Sequence, residues 1–393
     1  MQSFFLMRIG PHRITLAILL AVLALVLTPA CAALHGSSSS APATTVPAPP
    51  ATEARRLSVP PPTGEFPVGV ATLSLLDRKR PDPFARNGER RRILAEVYYP
   101  SVTGNGKRAR YMPAGVAKAL ATPDVPAATL RSVTTNADLD ARARPGRYPV
   151  LIFSPGYSVP HYMYTGLIED LASRGYVVIA VGHTYETEAV QFPNGATVHR
   201  TLPANPKNLT FKPIRARIDD VSFVLRRLKS LRRLASLGGA DVTKIGVFGH
   251  SLGGLTAANV AAANASVSCA ADLAGSVYGD ARRKPFRRPF LIIDGAQRES
   301  TLARWWANLK GTRYWVILTR AKHLNFTDWT WLVPRLKAEG LTPHVQNLGA
   351  IDGTRALRLE RQYLNAFFDE CLKRQPSSVF GSPAPYPDVV VKR

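Results

Sequence analysis

The segment KIGVFGHSLGG, Lys244 to Gly254, runs from an apolar stretch through a G-x-S-x-G pentapeptide into a small-residue run that ends near Ala262. A strand that stops on a serine and turns at once into a helix needs small residues two positions to either side. A side chain at Gly249 or Gly253 would collide with neighbouring backbone. Such a turn belongs to a sheet whose strands end at one edge while helices return over its faces. The rest of the chain supplies those parts. VGVATLSLLD and ILAEVYYP read as two strands separated by a turn-rich segment. YPVLIFSPG, YVVIAVGH, SVSCAADLAG, PFLIIDGA and YWVILTRAKH are continuous apolar runs, suited to strands buried on both faces. Between them lie helical patterns: residues 163–174, a helix carrying Ile214, Ile218, Val221, Leu225, Leu228 and Leu231 at helical spacing, and RALRLERQYLNAFFDECL near the end. The alternation predicts an α/β chain with a mostly parallel sheet and helices on both faces. Thr184 to Pro213 has little periodicity and several prolines, and reads as a long loop or partial lid. No internal repeat is visible.

A serine hydroxyl needs a base to take its proton. In a strand–turn–helix arrangement of this kind the order along the chain is serine, acid, histidine. Only His323 and His344 follow Ser251. His323 lies just past the strand Tyr314–Thr319, where a loop residue reaches the carboxyl edge of a sheet, so it is preferred. His250 is expected to point into the fold, and His161, His183 and His199 to be structural or pocket-lining. For the acid, Asp280 sits in a solvated basic loop. On the residues alone, Asp272 and the Asp294/Glu299 pair are nearly even. The tetrahedral oxyanion needs two backbone donors, expected at the N–H of Leu252, next to the nucleophile, and of Tyr157, in the loop after the FSPG strand. This chemistry needs no metal and no cofactor, and no metal-ligand cluster is visible. The five tryptophans fall within residues 305–331 around His323. Core packing is expected for most of them, an acyl pocket or interfacial rim being the alternative.

The N-terminus carries Arg8 and Arg13, then the uncharged run Ile14–Leu27, then LTPACAA. Residues 1–30 are expected to be a signal peptide, too short in its apolar part to span a bilayer comfortably. Lipidation at Cys31 and ordinary cleavage around Ala30–Ala32 both remain open. Residues 31–65, rich in Ala, Pro, Ser and Thr, read as a flexible spacer, residues 66–375 as the catalytic domain and 376–393 as a C-terminal tail. The protein is therefore expected to be secreted or attached to the cell envelope. Beyond Cys31 the chain has Cys269 and Cys371. An oxidising compartment would let them pair, but both lie in apolar surroundings, and two buried thiols is the favoured expectation. The formal charge of +24 falls to +22 once Arg8 and Arg13 leave with the leader. That surface would attract anionic membrane surfaces. The basic residues are scattered and no nucleic-acid motif occurs, so nucleic acid is not an expected partner. The default account of the arginines is genomic composition.

At PVGVATLSLLDRKRPDP with ILAEVYYP, VLIFSPGY, DLASRGYVVIAVGH, KIGVFGHSLGG and especially KHLNFTDW, the chain resembles the plasma and intracellular type II platelet-activating-factor acetylhydrolases. These are α/β-hydrolases that cleave short or oxidised acyl chains from phospholipids. The resemblance runs from about Pro67 to Phe368. It implies Ser251 as nucleophile, His323 as base, Asp272 in CAADLAG as the acid, and the Tyr157 amide at the oxyanion position. Pro155 and Tyr157 stand where the family usually has His and Leu, and SPGY is also similar to secreted cutinase-type polyester hydrolases. The leading expectation is a serine ester hydrolase acting on short-acyl phospholipid-like esters. The alternatives are a secreted lipase, carboxylesterase or polyester hydrolase and, from another class, a non-catalytic envelope-binding protein on the same scaffold.

Overall fold

The computed structural model describes residues 57–393, apart from 103–105, 204–210, 232–233, 238, 284, 297–299 and 382–383. The expected leader, Cys31, most of the spacer and Glu299 lie outside the described residues. Two long antiparallel strands, β1 (Val68–Pro81) and β2 (Arg90–Pro100), open the fold. Strand β3 (Arg108–Arg110), helices α1 (Ala114–Leu120) and α2 (Ala127–Ser132), and β4 (Thr134–Leu139) extend that edge. The alternating part follows: β5 (Tyr148–Ser154), α3 (Thr165–Ser173) and β6 (Val177–Gly182). A small hairpin of β7 (Ala189–Gln191) and β8 (Thr197–His199) then leads to α4 (Phe211–Leu231). After it come β9 (Ala240–His250), α5 (Leu252–Ala263), β10 (Val267–Leu273), α6 (Asp280–Arg283), β11 (Phe290–Gly295), α7 (Ser300–Trp306) and β12 (Arg313–Leu318). Helices α8 (Trp329–Ala338) and α9 (Gly353–Phe368) and strand β13 (Val389–Lys392) close the chain.

Among the described residues the main sheet has the order β13-β12-β11-β10-β9-β5-β6-β2-β1-β4-β3. Its centre, β12 to β6, is parallel. These are the continuous apolar runs, and both of their faces are covered. On one face Leu151, Phe153, Phe248, Ala271 and Ile293 meet α3, α8 and α9. On the other, Val150, Ile152, Val247, Ala270 and Ile292 meet α4, α5 and α7. From β5 the chain steps outward to β6, and from β9 it steps the opposite way through β10, β11 and β12. The strand order therefore reverses between β5 and β9, and a crevice opens outside their carboxyl ends, where open α/β sheets bind ligands.

Three features differ from the expectations. Residues 376–393 carry β13, which pairs antiparallel with β12 through Val389–Lys392. VVVK is a β-branched strand too short to stand out by periodicity. Residues 57–63, placed in the spacer, pack on the domain: Val59 is buried and donates to Thr134 O at 2.9 Å, and Arg361 donates to the carbonyls of Pro60 and Pro61. Cys269 on β10 and Cys371 after α9 are joined in a disulfide with their Cα atoms 6.6 Å apart, in place of two separate buried thiols. Their apolar surroundings are real, but α9 crosses the face of β10 toward which Cys269 points, so the two meet across 102 residues of chain. Trp305, Trp315 and Trp331 are buried core residues.

Candidate active site

Ser251 sits between β9 and α5 with φ 56° and ψ −119°, a backbone conformation that a residue with a side chain adopts at a cost of about 1–3 kcal/mol. The surroundings hold it there. Its N–H donates to Leu273 O at 2.8 Å, and its carbonyl accepts from Gly254 and Leu255. A Cβ at Gly249 would strike Gly253 backbone and the Ser154 carbonyl, and one at Gly253 would strike the same Ser154 carbonyl. The two glycines are thus required because β5 passes directly under the turn. The N-terminus of α5 opens at Ser251, and the Leu252 N–H is among the first-turn donors with no intrahelical acceptor, favouring negative charge at this point.

The loop after β5 faces that turn. Tyr157 has its backbone in it, and its hydroxyl donates to Pro203 O. The Gly156 N–H donates to Tyr164 Oη at 2.9 Å. Tyr164 Oη is 2.8 Å from His250 Nδ1, and His250 Nε2 is 3.0 Å from His323 O. A carbonyl only accepts, so Nε2 carries the proton and Nδ1 accepts from the tyrosine hydroxyl. Three hydrogen bonds therefore run in one direction from the loop after β5 through the elbow to the turn of the expected base. Burial, and then the neighbouring His323, push His250 well below the ordinary histidine range, so it is neutral. It points into the fold, as its position beside the serine led one to expect.

His323 begins a 3-10 turn, His323–Phe326, just beyond β12. The KHLNFTDW motif explains how the turn is held. Asn325 Oδ1 accepts from Lys322 N at 2.8 Å and from Gly349 N at 2.6 Å, and its amide donates to Thr330 Oγ1. The Asp328 carboxylate accepts from Tyr111 Oη and from Trp331 Nε1, each at 2.9 Å, and from Gly166 N. Its own N–H donates to Met163 O. The motif thus ties the His323 turn to α3 and to the segment carrying Tyr164. The rings of His250 and His323 lie 4.6 Å apart, which puts His323 beside the serine turn.

Asp272 is fully buried at the end of β10, in register with Gly249 on one side and Ile292 on the other. Its carboxylate lies against the backbones of Gly254 and Gly275, where an added Cβ at either glycine would overlap it, and the Gly275 position is also close to Ser251 O. Asp294, at the end of β11, is also buried, and its Oδ1 accepts from the adjacent Gly295 N at 2.8 Å. Of these two acids, Asp272 is the one packed against the turn that carries Ser251. His344 and Asp280 are exposed.

Two groups of residues were missed from the sequence, apart from His183, which was expected to be structural or pocket-lining and is buried. Arg217 and Asp220 come from α4, and His183 and Glu186 from the loop after β6; all four are buried beneath the Ser154–Gly156 segment. Tyr164 is the other. Their contacts join positions 29 to 86 residues apart, so nothing local announces them. Among the described residues, no three His, Cys, Asp or Glu side chains form a group that could hold a metal, and no helix is long and apolar enough to cross a membrane.

A parallel sheet reversing at β5/β9, with a serine elbow at the switch point, defines an α/β-hydrolase. Residues 53–236 match the family model described as platelet-activating factor acetylhydrolase, isoform II. The chain is an α/β-hydrolase by fold, and this part of it is similar to that family. It is 26% identical over 273 residues to a probable 1-alkyl-2-acetylglycerophosphocholine esterase of Arthroderma benhamiae, covering 62% of this chain and 65% of that protein. Identity to a platelet-activating factor acetylhydrolase of Bos taurus is 26% over 278 residues, 62% of each chain. The chain thus spans less than two thirds of the length of these relatives. A solved ferulic acid esterase from Streptomyces cinnamoneus superposes with a TM-score of 0.77 at 32% identity, over 86% of this chain and 100% of that one.

Proposed function

We propose that the protein is a serine ester hydrolase of the acetylhydrolase type, cleaving short acyl chains from phospholipid-like esters through an acyl-enzyme. Ser251 attacks the acyl carbonyl as His323 takes its proton. Asp272 fixes the tautomer of His323 and stabilises the imidazolium. The N–H groups of Leu252 and Tyr157 receive the oxyanion. The leaving alcohol takes the proton back from His323, and water repeats the sequence to release the acid. The observation that carries this reading is the left-handed serine at the head of α5, beside a histidine ring that in turn holds His323. The similarity to the acetylhydrolase family and the esterase neighbour support the reaction class.

A second reading takes the leaving group and acyl chain from the solved neighbour: hydroxycinnamoyl esters in place of short-acyl phospholipids. It is favoured by the coverage and identity of that match. Steady-state hydrolysis by the purified protein decides between them, using glycerophosphocholine esters from acetyl to palmitoyl alongside methyl ferulate. Turnover falling steeply with acyl length, with ferulate poor, supports the first reading. Preference for ferulate supports the second, and activity on neither removes both, leaving the lipase and polyester alternatives and the binding protein. We infer further that the chain acts outside the cytoplasm, released or lipid-anchored near Cys31. Its +22 charge would draw it to anionic bilayers, so hydrolysis in anionic vesicles should fall with salt more than hydrolysis of a soluble ester.

A further inference from the structure

Beneath the oxyanion loop lies a second serine–histidine–aspartate relay, made of residues with no access to solvent. Ser154 Oγ is 2.9 Å from His183 Nε2, and His183 Nδ1 is 2.9 Å from Asp220 Oδ2. All three side chains are fully buried. Asp220 also accepts from Arg91 Nε and Nη2, at 3.0 and 2.6 Å, and from Arg80. Able only to accept, the carboxylate fixes the proton of His183 on Nδ1, so Nε2 accepts from the Ser154 hydroxyl. Ser154 is left with its lone pairs, and one of them faces Arg217 Nη1 at 3.3 Å. No substrate reaches these atoms, so the relay is not a second catalytic centre.

Its end point is Arg217. That guanidinium has its Nε on both oxygens of Glu186, at 2.5 and 2.7 Å. Its Nη1 donates to the Pro155 carbonyl and its Nη2 to the Gly156 carbonyl, the latter at 3.1 Å. A trans peptide unit carries its C=O and N–H on opposite sides. With the Pro155 carbonyl on Arg217, the Gly156 N–H must point the other way, and it does: it meets Tyr164. With the Gly156 carbonyl on Arg217, the Tyr157 N–H is likewise turned away from Arg217.

We propose that Arg217, locked by Glu186 and by the Ser154–His183–Asp220 relay, is the positioning residue that presets the Tyr157 amide as an oxyanion donor. The inference rests on the hydrolase reading above, in which that amide touches the reacting atoms and Arg217 does not. A planar fork anchored at four points can hold two successive carbonyls, which a lysine ammonium cannot do. A donor preset in this way contributes to the transition state and hardly to ground-state binding.

The test uses the full mature chain and compares wild type, Arg217→Lys and Glu186→Gln. It records kcat and KM on a soluble acetyl ester and the affinity for a methyl trifluoromethyl ketone, whose hemiketal oxyanion occupies the same position. Active-site labelling of wild-type Ser251 by a fluorophosphonate checks the hydrolase reading separately. Loss of one oxyanion donor costs about 100- to 1,000-fold in kcat. Arg217→Lys should approach that loss with KM changed by no more than a few-fold, and ketone affinity should fall in parallel. Glu186→Gln, which keeps the side-chain volume and one acceptor, should lie between it and wild type on both measures. A merely structural role would lower the melting temperature without moving the ketone affinity of the folded fraction. The proposal is overturned if folded Arg217→Lys, or Glu186→Gln should the lysine variant not fold, hydrolyses the ester at the wild-type rate. It is also overturned if kcat falls while ketone affinity does not.

Discussion

The Nε2–H of His250 donates to the backbone carbonyl of His323 at 3.0 Å, so the residue preceding the expected nucleophile holds the loop of the expected base. The same imidazole accepts from Tyr164, which receives the Gly156 N–H. Replacing His250 by Phe keeps the ring volume against Tyr164 and Phe326 but deletes both bonds. Displacements of the order of 1 Å can cost about 100-fold in rate. His250→Phe should therefore lose roughly one to two orders of magnitude in kcat, with a smaller change in KM. Unchanged kcat in a folded variant would mean that the His323 turn stands without this support.

The two strand-end acids separate by substitution. Asp272 is packed against Gly254 and Gly275 behind the serine turn, and Asp294 caps its own neighbour Gly295. Asp272→Asn should keep the fold and lose about 10⁴-fold in kcat, because the amide favours the wrong tautomer of His323. Asp294→Asn and Glu299→Gln should cost far less. The reverse order of losses, read by initial rates on one ester, would move the acid to β11.

What the sequence made legible follows from what is local. The elbow is a contiguous pattern, and the buried parallel strands are contiguous apolar runs, so β5, β6, β9, β10, β11 and β12 could be read directly. The choice between Asp272 and Asp294 could not be made from the residues, because both end apolar strands and the difference lies in which turn each packs against. Arg217, Glu186 and Asp220, and the partners of His183, were hidden for the same reason. Their segment looked like an aperiodic loop and an amphipathic helix, and their meaning lies in contacts with Ser154–Gly156 on another strand. The disulfide depended on where α9 crosses the sheet.

That disulfide closes a loop of 102 residues between the strand of Asp272 and the end of α9. In the chain-entropy model a loop of this length is worth about 4.7 kcal/mol. The Cys269→Ser/Cys371→Ser double variant should unfold at clearly lower urea concentration, by several kcal/mol in the extrapolated stability. Equal midpoints for the oxidised protein and the double variant would show that the bond adds nothing.

Burial, and then the nearby Asp328, raise the Glu360 carboxyl from 4.5 to about 8. Between those values the folded chain holds a proton that the unfolded chain has lost. The contribution is fully present below about pH 4.5 and is lost as pH rises through 8. Glu360→Gln has no proton to lose. Its stability relative to wild type should improve from pH 5 to pH 9 in urea unfolding. A difference independent of pH would place the ordinary carboxylate in this site.

The central claim is that Ser251 is the nucleophile, and the direct measurement is covalent labelling by a fluorophosphonate, located by peptide mass spectrometry. The wild type should be labelled at Ser251 alone, with loss of ester hydrolysis proportional to labelling. Ser251→Ala should be neither labelled nor active, while unfolding as wild type does. Activity in such a variants is expected to fall by several orders of magnitude. Label on a different serine, or hydrolysis persisting in a folded Ser251→Ala protein, would contradict the account.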